Sequence, residues 1–564
     1  MKSILFLRGW SLIRVLNPSP PSLRARSASF SLVDRGILAF GLVFWLCLSI
    51  WARPMALPDE GRYVGVAWEM AQSGQWGVPT LDGMPFFHKP PLFYWITAFS
   101  LKMLGFHAAA ARVASVLGGC LAIGSVVALA WRWASPALAQ RVLAVAATTP
   151  LLFLASQYAN LDMLVAGFIS ATVALAAHAC LLRMSEKQKN HARRALWGAY
   201  AMAALGVLAK GLIGAVIPAA SLILWLAWQR QWRLMTDLFD GVGCFVFLVL
   251  AAPWFLLMER AFPDFLHYFF VVQHFQRFAT QGFNNVQPFW FYPAVLWLFC
   301  LPWTLVSAWQ LFKLWRAPQR AANDSDNPHD QAGLHDKGHE TTNPRLNALM
   351  GCTVLVVLVF FSLPASKLVG YVLPAAAPLA FLMAQSLSGL SAKTFKIWVI
   401  LSGLLGLILV AFFTLEAPKS TQALGQQLRR ERTSDEPVYM WHHYYYDLPL
   451  YAHLESPARV VGLWSGEAVR AHDNWQRELV DARDFASDSN SARNLIEVDE
   501  FHQQLCAAPR AWILASEKEA QSDPWLSQLK TTLKQNQTAL LRWELAPSNP
   551  AQKSTALCSE RLTR

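Results

Sequence analysis

PDEGRYVGVAWEMAQSGQWGVPTLDGMPFFHKPPLFYW, residues 58–95, is a polar stretch set between two strongly apolar ones. It carries Asp59, Glu60, Arg62, Glu69, Asp82, His88 and Lys89, and so many ionisable groups do not stay in hydrocarbon. The stretch leaves the bilayer, and the chain around it is a membrane protein. Asp59 and Glu60 follow Pro58, which suits a helix start, where free N–H groups and the helix dipole favour negative charge. Tyr63, Val64, Val66, Ala67 and Met70 then fall at mixed three- and four-residue spacings, which predicts a short amphipathic helix lying on the membrane surface. Gly74 and Pro79 break it, and His88-Lys89-Pro90-Pro91 opens a second, aromatic-rich segment over 92–104.

Outward from this loop, the 564 residues are 54% hydrophobic and 15% charged, the composition of a polytopic membrane protein. Apolar runs predict spans at about 36–52, 109–131, 139–156, 161–182, 195–209, 211–228, 234–258, 289–312, 346–363, 368–387 and 394–413, eleven in all, with a range of 11–13. A secretory signal is the rival reading of the first, but Ile50-Trp51-Ala52-Arg53 lacks a small-residue cleavage site, so the helix is read as uncleaved. The net charge of +12 does not point to nucleic acid, because the Lys and Arg residues sit mainly in short loops on one side, as positive-inside topology requires. Residues 1–35 read as a basic cytoplasmic tail, and 317–344 as a cytoplasmic linker whose His329, His335 and His339 are solvated. Trp51, Trp76, Trp95, Trp131, Trp133, Trp290 and Trp303 lie near span ends and read as interfacial belts.

Residues 36–413 thus form the transmembrane domain, with 53–108 as an outer loop, and an odd number of spans leaves 414–564 outside as well. That last part is polar, with β-like runs at 437–441, 459–464, 511–515 and 540–545, and reads as a small soluble α/β domain. Six of the eight cysteines lie in apolar spans and imply no metal motif. Cys506 and Cys558 stand apart in the polar part, free or paired according to a geometry that sequence leaves open.

This topology collects Asp59, Glu60, Arg62, His88, Lys89, Asp162, Lys210, His274, Arg277, Lys367 and Tyr371 at one membrane face. Lysine and arginine at span ends often only snorkel. Asp162, just inside an apolar run, and Lys210, between Leu208-Ala209 and Gly211-Leu212, are harder to dismiss, since an unpaired charge there is costly. A carboxylate in the loop suits proton acceptance or orientation of a nucleophile, and the cations suit a phosphate leaving group. Group transfer from a lipid phosphate fits the set. His178, alone on an apolar helix, reads as structural.

Six motifs in order resemble a known family. They are Asp-Glu-x-Arg-Tyr at 59–63, Phe-His-Lys-Pro-Pro-Leu-x-Tyr-Trp at 87–95, Leu-Asp-Met at 161–163, Ala-Lys-Gly at 209–211, Gln-His-Phe-x-Arg-Phe at 273–278 and Ser-Lys-Leu-x-x-Tyr-x-Leu-Pro at 366–374. Together they look like the lipid A 4-amino-4-deoxy-L-arabinose transferases and the related protein mannosyltransferases, membrane glycosyltransferases of the C-type (GT-C) fold. The resemblance covers about the first 390 residues. It implies that Asp59 is the leading catalytic carboxylate, supported by Asp162, within a periplasmic catalytic loop over 53–108. Arg62, Lys89, Lys210, Lys367 and Tyr371 would bind the donor phosphate or line its pocket. In the aminoarabinose transferases a carboxylate just before the equivalent of Lys89 joins the equivalent of His274 at a metal ion. This chain has His88 there, so a divalent ion such as zinc would rest on His88 and His274, with a structural histidine pair as the alternative.

The expectation is therefore an inner-membrane bacterial enzyme, with active site and C-terminal domain periplasmic. It moves a sugar from a polyprenyl-phosphate carrier, with inversion, to a lipid A-like glycolipid, another glycan or a protein. The rival class is a lipid or sugar-lipid transporter, for which many spans and intramembrane charge are equally natural, although the chain shows no internal repeat. A catalytically dead scaffold is disfavoured by the intact acidic and basic set.

Overall fold

The structure is a computed structural model that describes residues 32–185, 188–276, 285–323, 343–415, 419–464, 469–470, 474–486, 493–545 and 558. Residues 1–31 of the basic tail and the three linker histidines fall outside the described residues, while 32–35, read as the end of that tail, open the first helix. In chain order, the described α-helices of seven residues or more in the apolar part are α1 (Leu32–Cys47), α2 (Asp59–Ser73), α3 (Leu92–Leu104), α4 (Val113–Trp133), α5 (Pro136–Thr148), α6 (Pro150–Ser156), α7 (Leu161–Ser185) and α8 (Lys189–Lys210). They continue as α9 (Ile213–Trp228), α10 (Gly241–Ala261), α11 (Phe291–Phe299), α12 (Trp303–Asn323), α13 (Pro344–Ser362), α14 (Leu373–Ser386) and α15 (Ala392–Leu415).

All eleven predicted spans are helical, but the count of eleven is not confirmed. Among the described residues six helices are long and apolar enough to cross a membrane, or eight if each of two bent pairs is one span. The bends are 64° between α5 and α6 and 95° between α11 and α12, where an apolar run had suggested a straight crossing. Helices α1 and α9 have 16 residues each, about 24 Å at 1.5 Å per residue, short of a hydrocarbon core of about 30 Å. Helix α8 carries Lys189, Arg193, Arg194 and Lys210. The linker reading also needs correction at its start: α12 runs on to Asn323, so 317–323 are helical, and 324–342 lie outside the described residues.

Helix α7 is the centre of the apolar part, buried along nearly its whole length and packed on α4 and α8. Glycine makes the α4–α7 approach feasible: a Cβ on Gly118 would strike the main chain of Met163, and one on Gly167 the main chain of Gly118. Small residues at such crossings replace the hydrophobic drive that lipid does not supply with close backbone packing. Trp303 is fully buried rather than interfacial, its indole N–H donating to Thr148 (3.2 Å), whereas Trp51 and Trp290 are exposed as a belt requires. His178 accepts a hydrogen bond from Trp133 (2.9 Å), in keeping with a structural role.

Two layers cover the loop. Helix α2 forms where the apolar spacing predicted it, but it does not lie open on a surface: Val64, Val66, Ala67, Trp68 and Met70 are buried under α3 and the C-terminal domain. A hairpin follows, β1 (Thr80–Leu81) and β2 (Met84–Pro85), turned at Asp82 and Gly83, both at positive φ. The C-terminal part is an α/β domain, as expected. Its six-stranded sheet has the order β5-β4-β3-β6-β8-β7, with β3 (Val438–Trp441), β4 (Arg459–Val461), β5 (Leu495–Ile496), β6 (Arg510–Ser516), β7 (Lys530–Gln535) and β8 (Thr538–Glu544). Strands β3 to β6 pair in parallel, and β8 runs antiparallel to β6 and β7. The sheet packs against helices α16 (Gln422–Glu431), α17 (Trp475–Asp484) and α18 (Val498–Ala507). Cys506 and Cys558 form a disulfide, with Cα atoms 5.8 Å apart.

Candidate active site

The loop is fixed first by a buried ionic knot. Glu60 is fully buried and receives Arg53, Arg112 (Nε at 2.9 Å, Nη2 at 3.1 Å), Ala56 N–H (2.8 Å) and Ala159 N–H (2.7 Å). Arg112 also reaches the carbonyls of Arg53 (3.0 Å) and Pro54 (2.9 Å), tying α1, α2 and α4 together. Burial pulls the Glu60 carboxyl up, but Arg112 and Arg53 outweigh it and hold it at about 2, below the ordinary 4.5. Glu60 therefore contributes stability that is present above pH 4.5 and is lost as pH falls towards 2. Glu60→Gln, which leaves two buried guanidinium groups uncompensated, is expected to cost about 3–5 kcal/mol. A thermal melt of the detergent-solubilised variant at pH 7 checks this, and a melting temperature equal to wild type would refute it.

One residue earlier on α2, Asp59 faces the other way. Its Oδ1 accepts a hydrogen bond from Nη2 of Arg62, while Nη1 of Arg62 donates to Oε1 of Glu478 on α17. The guanidinium lies over the rings of Tyr63 (5.3 Å) and Tyr446 (5.9 Å), and the Tyr446 hydroxyl donates to the second oxygen of Glu478 (2.6 Å). Nε of Arg62 is buried with no hydrogen-bond partner among the described residues. Although 37% of the Asp59 side chain is open, the protein packed around its carboxyl raises its pKa above 3.8; Arg62 opposes the rise, and Asp162 and Glu478 add to it.

Asp162 and Lys210, each costly alone, settle that cost on one another: they form an ion pair across α7 and α8. The Lys210 ammonium also lies 4.3 Å from the centre of the Tyr371 ring. Asp162 is seated against Gly370, where any Cβ would collide with its carboxylate. Asp59, Arg62, Asp162, Lys210 and Tyr371, from four separate segments, are thus brought into one cluster.

The other predicted residues sit differently. Lys89 is half-buried beside His88. Lys367 is buried, and its ammonium is held by the carbonyls of Gln287 (2.8 Å) and Pro364 (2.7 Å), so that it clasps two loops; the expectation of a donor-phosphate contact did not foresee this cage. His88 stacks on Phe86 (4.5 Å between centroids), and its Nε2 lies 3.7 Å from Oδ2 of Asp481, an ion-pair distance longer than a hydrogen bond. The Tyr268 hydroxyl donates to the same oxygen (3.0 Å). Burial raises the Asp481 carboxyl, but His88, Tyr268 and Arg477 outweigh it and leave it below the usual range. The backbone of His274 lies in a π-helical stretch, His267–Gln276, but its side chain, like all of Arg277, falls outside the described residues.

His88 and Asp481 offer one imidazole and one carboxylate, and no group of three or more His, Cys, Asp or Glu gathers among the described residues. That is short of the three or four protein ligands zinc takes, so these residues alone do not make a zinc site.

Sequence reasoning left open a part for the C-terminal domain at the acceptor entrance but singled out none of its residues. Glu478, Asp481 and Tyr446 touch the loop at residues nearly 400 or more positions away, and Asp82 at the hairpin turn accepts the N–H of Ala458 (2.9 Å). A cleft of about 320 Å³ opens at a different place, between Arg53, Phe106 and His107 on one side and Gln426, Arg429 and His453 on the other.

Comparison with known proteins agrees with this architecture. Residues 88–256 match the family model of dolichyl-phosphate-mannose-protein mannosyltransferases. The undecaprenyl phosphate-alpha-4-amino-4-deoxy-L-arabinose arabinosyl transferase of Serratia proteamaculans is 30% identical over 376 residues, 66% of this chain and 62% of that protein. Its counterpart in Sodalis glossinidius is 32% identical over 352 residues, 62% of this chain and 58% of that protein. The chain thus spans about three fifths of the length of these relatives. Crystal structures of ArnT from Cupriavidus metallidurans, apo and bound to undecaprenyl phosphate, superpose with TM-scores of 0.70 and 0.69, each at 22% identity and covering 91% of this chain and 98% of that one.

Fold and site define a multi-pass membrane protein of the C-type glycosyltransferase fold. Within that class, the chain is similar in sequence to the aminoarabinose transferases over about three fifths of their length, and residues 88–256 match the mannosyltransferase model.

Proposed function

We propose that the protein is a glycosyltransferase that takes a sugar from a polyprenyl-phosphate carrier and passes it to an acceptor at the outer face of a bacterial inner membrane. The observation that carries this reading is the cluster of Asp59, Arg62, Asp162, Lys210 and Tyr371, in which two carboxylates and two cations meet at the end of the apolar bundle. The names of the relatives, and the undecaprenyl phosphate bound by ArnT, support the donor class. Asp59 takes the proton of the acceptor oxygen or orients it, and that oxygen forms a bond to the anomeric carbon from the face opposite the phosphate. The bond from that carbon to the phosphate oxygen breaks, and the electron pair leaves with the polyprenyl phosphate, with inversion. Arg62, Lys89 and Lys210 offset the charge on the departing phosphate, and Tyr371 lines its pocket beside Lys210. The unpartnered Nε–H of Arg62 is a donor that a phosphate oxygen satisfies. Asp162 holds Lys210 in place, and Lys367 acts through the loops it clasps.

The periplasmic orientation draws support from the positive-inside loops and from the Cys506–Cys558 disulfide, which suits an oxidising compartment. A zinc ion on His88 and His274 remains a proposal separate from this mechanism, and no step depends on it. The test supplies purified protein in proteoliposomes with labelled undecaprenyl-phosphate sugars, 4-amino-4-deoxy-L-arabinose first, and with lipid A, glycan and peptide acceptors, each with and without a chelator. Label moving to one acceptor supports the reading, and loss of transfer in the chelator arm alone would add the metal. No consumption of any donor would overturn it.

A further inference from the structure

The C-terminal domain has no part in the reaction as proposed, yet α17 points two carboxylates into the loop. Asp481 meets His88 and Tyr268, and Glu478 meets Arg62, the residue that touches Asp59. Around them Phe485 packs edge-on against Phe87 (5.0 Å) and Tyr268 (5.2 Å), so the helix is seated and not merely adjacent. Glu478 is itself buried and held by the Tyr446 hydroxyl (2.6 Å), which fixes the carboxylate before it reaches the guanidinium.

We infer that Glu478 is a positioning residue of this centre: with Tyr446 it holds one edge of Arg62, so that only the other edge reaches Asp59 and the C-terminal domain completes the site. A guanidinium free of Glu478 can turn both Nη groups onto one carboxylate, the strongest geometry open to it. Asp59 would then be neutralised on both oxygens and lost as a proton acceptor. With Nη1 taken by Glu478, Nη2 engages Oδ1 of Asp59 alone, and part of the carboxylate stays open to an acceptor. The groups facing Asp59 are Arg62 and Tyr63 on its own helix, Tyr158 before α7, Asp162 with its partner Lys210, and Glu478 and Tyr446 from the C-terminal domain. Among them Glu478 is an anion whose removal both withdraws a negative charge and releases a cation towards Asp59.

The inference rests on Asp59 as the proton acceptor of the proposed transfer. Its test measures kcat, donor KM, the pH profile and the melting temperature of the full-length protein as wild type, Glu478→Gln, Glu478→Asp and Tyr446→Phe, with the exposed Arg470→Ala as control. Glu478→Gln is expected to lower kcat by about 10- to 100-fold with a smaller change in donor KM, and to move the acid limb of the profile to lower pH. Glu478→Asp restores part of kcat, and Tyr446→Phe shifts kcat and the limb in the same direction as Glu478→Gln. Arg470→Ala matches wild type. A kcat and acid limb at wild-type values in Glu478→Gln overturn the inference and leave the transferase reading standing; if that variant does not fold, the same result in Tyr446→Phe does so. Wild-type protein that consumes no donor removes the reading itself.

Discussion

Asp59→Asn is expected to abolish measurable sugar transfer, a loss of about 10²–10⁴-fold, while leaving the protein folded and able to bind undecaprenyl phosphate. The amide keeps the size of the side chain and its carbonyl still accepts from Arg62, so the α2 start is undisturbed; what is lost is the negative charge that takes or orients a proton. Because the surroundings raise the Asp59 pKa above 3.8, transfer by the wild type falls as pH drops through that raised value, since the protonated carboxyl no longer accepts. Initial rates across pH at saturating donor, with a binding assay beside them, read both expectations. Transfer by Asp59→Asn within tenfold of wild type would remove Asp59 from the chemistry.

Gly370→Ala should rival that loss from a position with no chemistry of its own. A methyl group at residue 370 would occupy the place of the Asp162 carboxylate, so either the carboxylate leaves its seat against Lys210 or the loop before α14 moves, and Tyr371 with it. Displacing Asp162 also unpairs a charge near the hydrocarbon, which costs about 3 kcal/mol. A misplacement of about 1 Å in the centre predicts a fall in kcat of about 10²-fold, read on protein whose melting temperature is followed alongside. An alanine variant with unchanged kcat would show that the Asp162–Lys210 pair is not needed where it stands.

Much of this was legible in the residues, and the reasons are physical. Apolar runs marked each of the six helices that, among the described residues, are long and apolar enough to cross a membrane, because a span must bury about twenty residues in hydrocarbon. They did not reveal where a run bends, as at Thr149 or between Phe299 and Trp303, since hydrophobicity alone carries no direction. Asp162 and Lys210 were each conspicuous as an intramembrane charge, and the structure resolves both by pairing them. Their shared face followed from topology, which needs only the alternation of loops and the placement of Lys and Arg.

The C-terminal contribution was hidden. Trp-Gln-Arg-Glu-Leu-Val-Asp-Ala-Arg-Asp, residues 475–484, carries no motif that singles out Glu478 or Asp481, and in the structure it is a helix that buries both. Only the tertiary fold brings Glu478 to Arg62 and Asp481 to His88, across separations that leave no local signal. The setting of Lys367 was hidden for a related reason: the carbonyls that hold its ammonium come from the main chain, which side-chain identity does not announce.

A cluster that breaks the sugar–phosphate bond releases the lipid phosphate as it labels the acceptor, and that bond can be followed directly. Sealed proteoliposomes carrying the protein are supplied with a polyprenyl-phosphate sugar labelled on both sugar and lipid, and a quench-flow series scores cleaved donor, labelled acceptor and intact donor that has changed leaflet. One free polyprenyl phosphate is expected for each acceptor labelled, in wild type and not in Asp59→Asn. Intact donor crossing the bilayer, uncleaved and at equal rates in both proteins, would contradict it and make the protein a transporter.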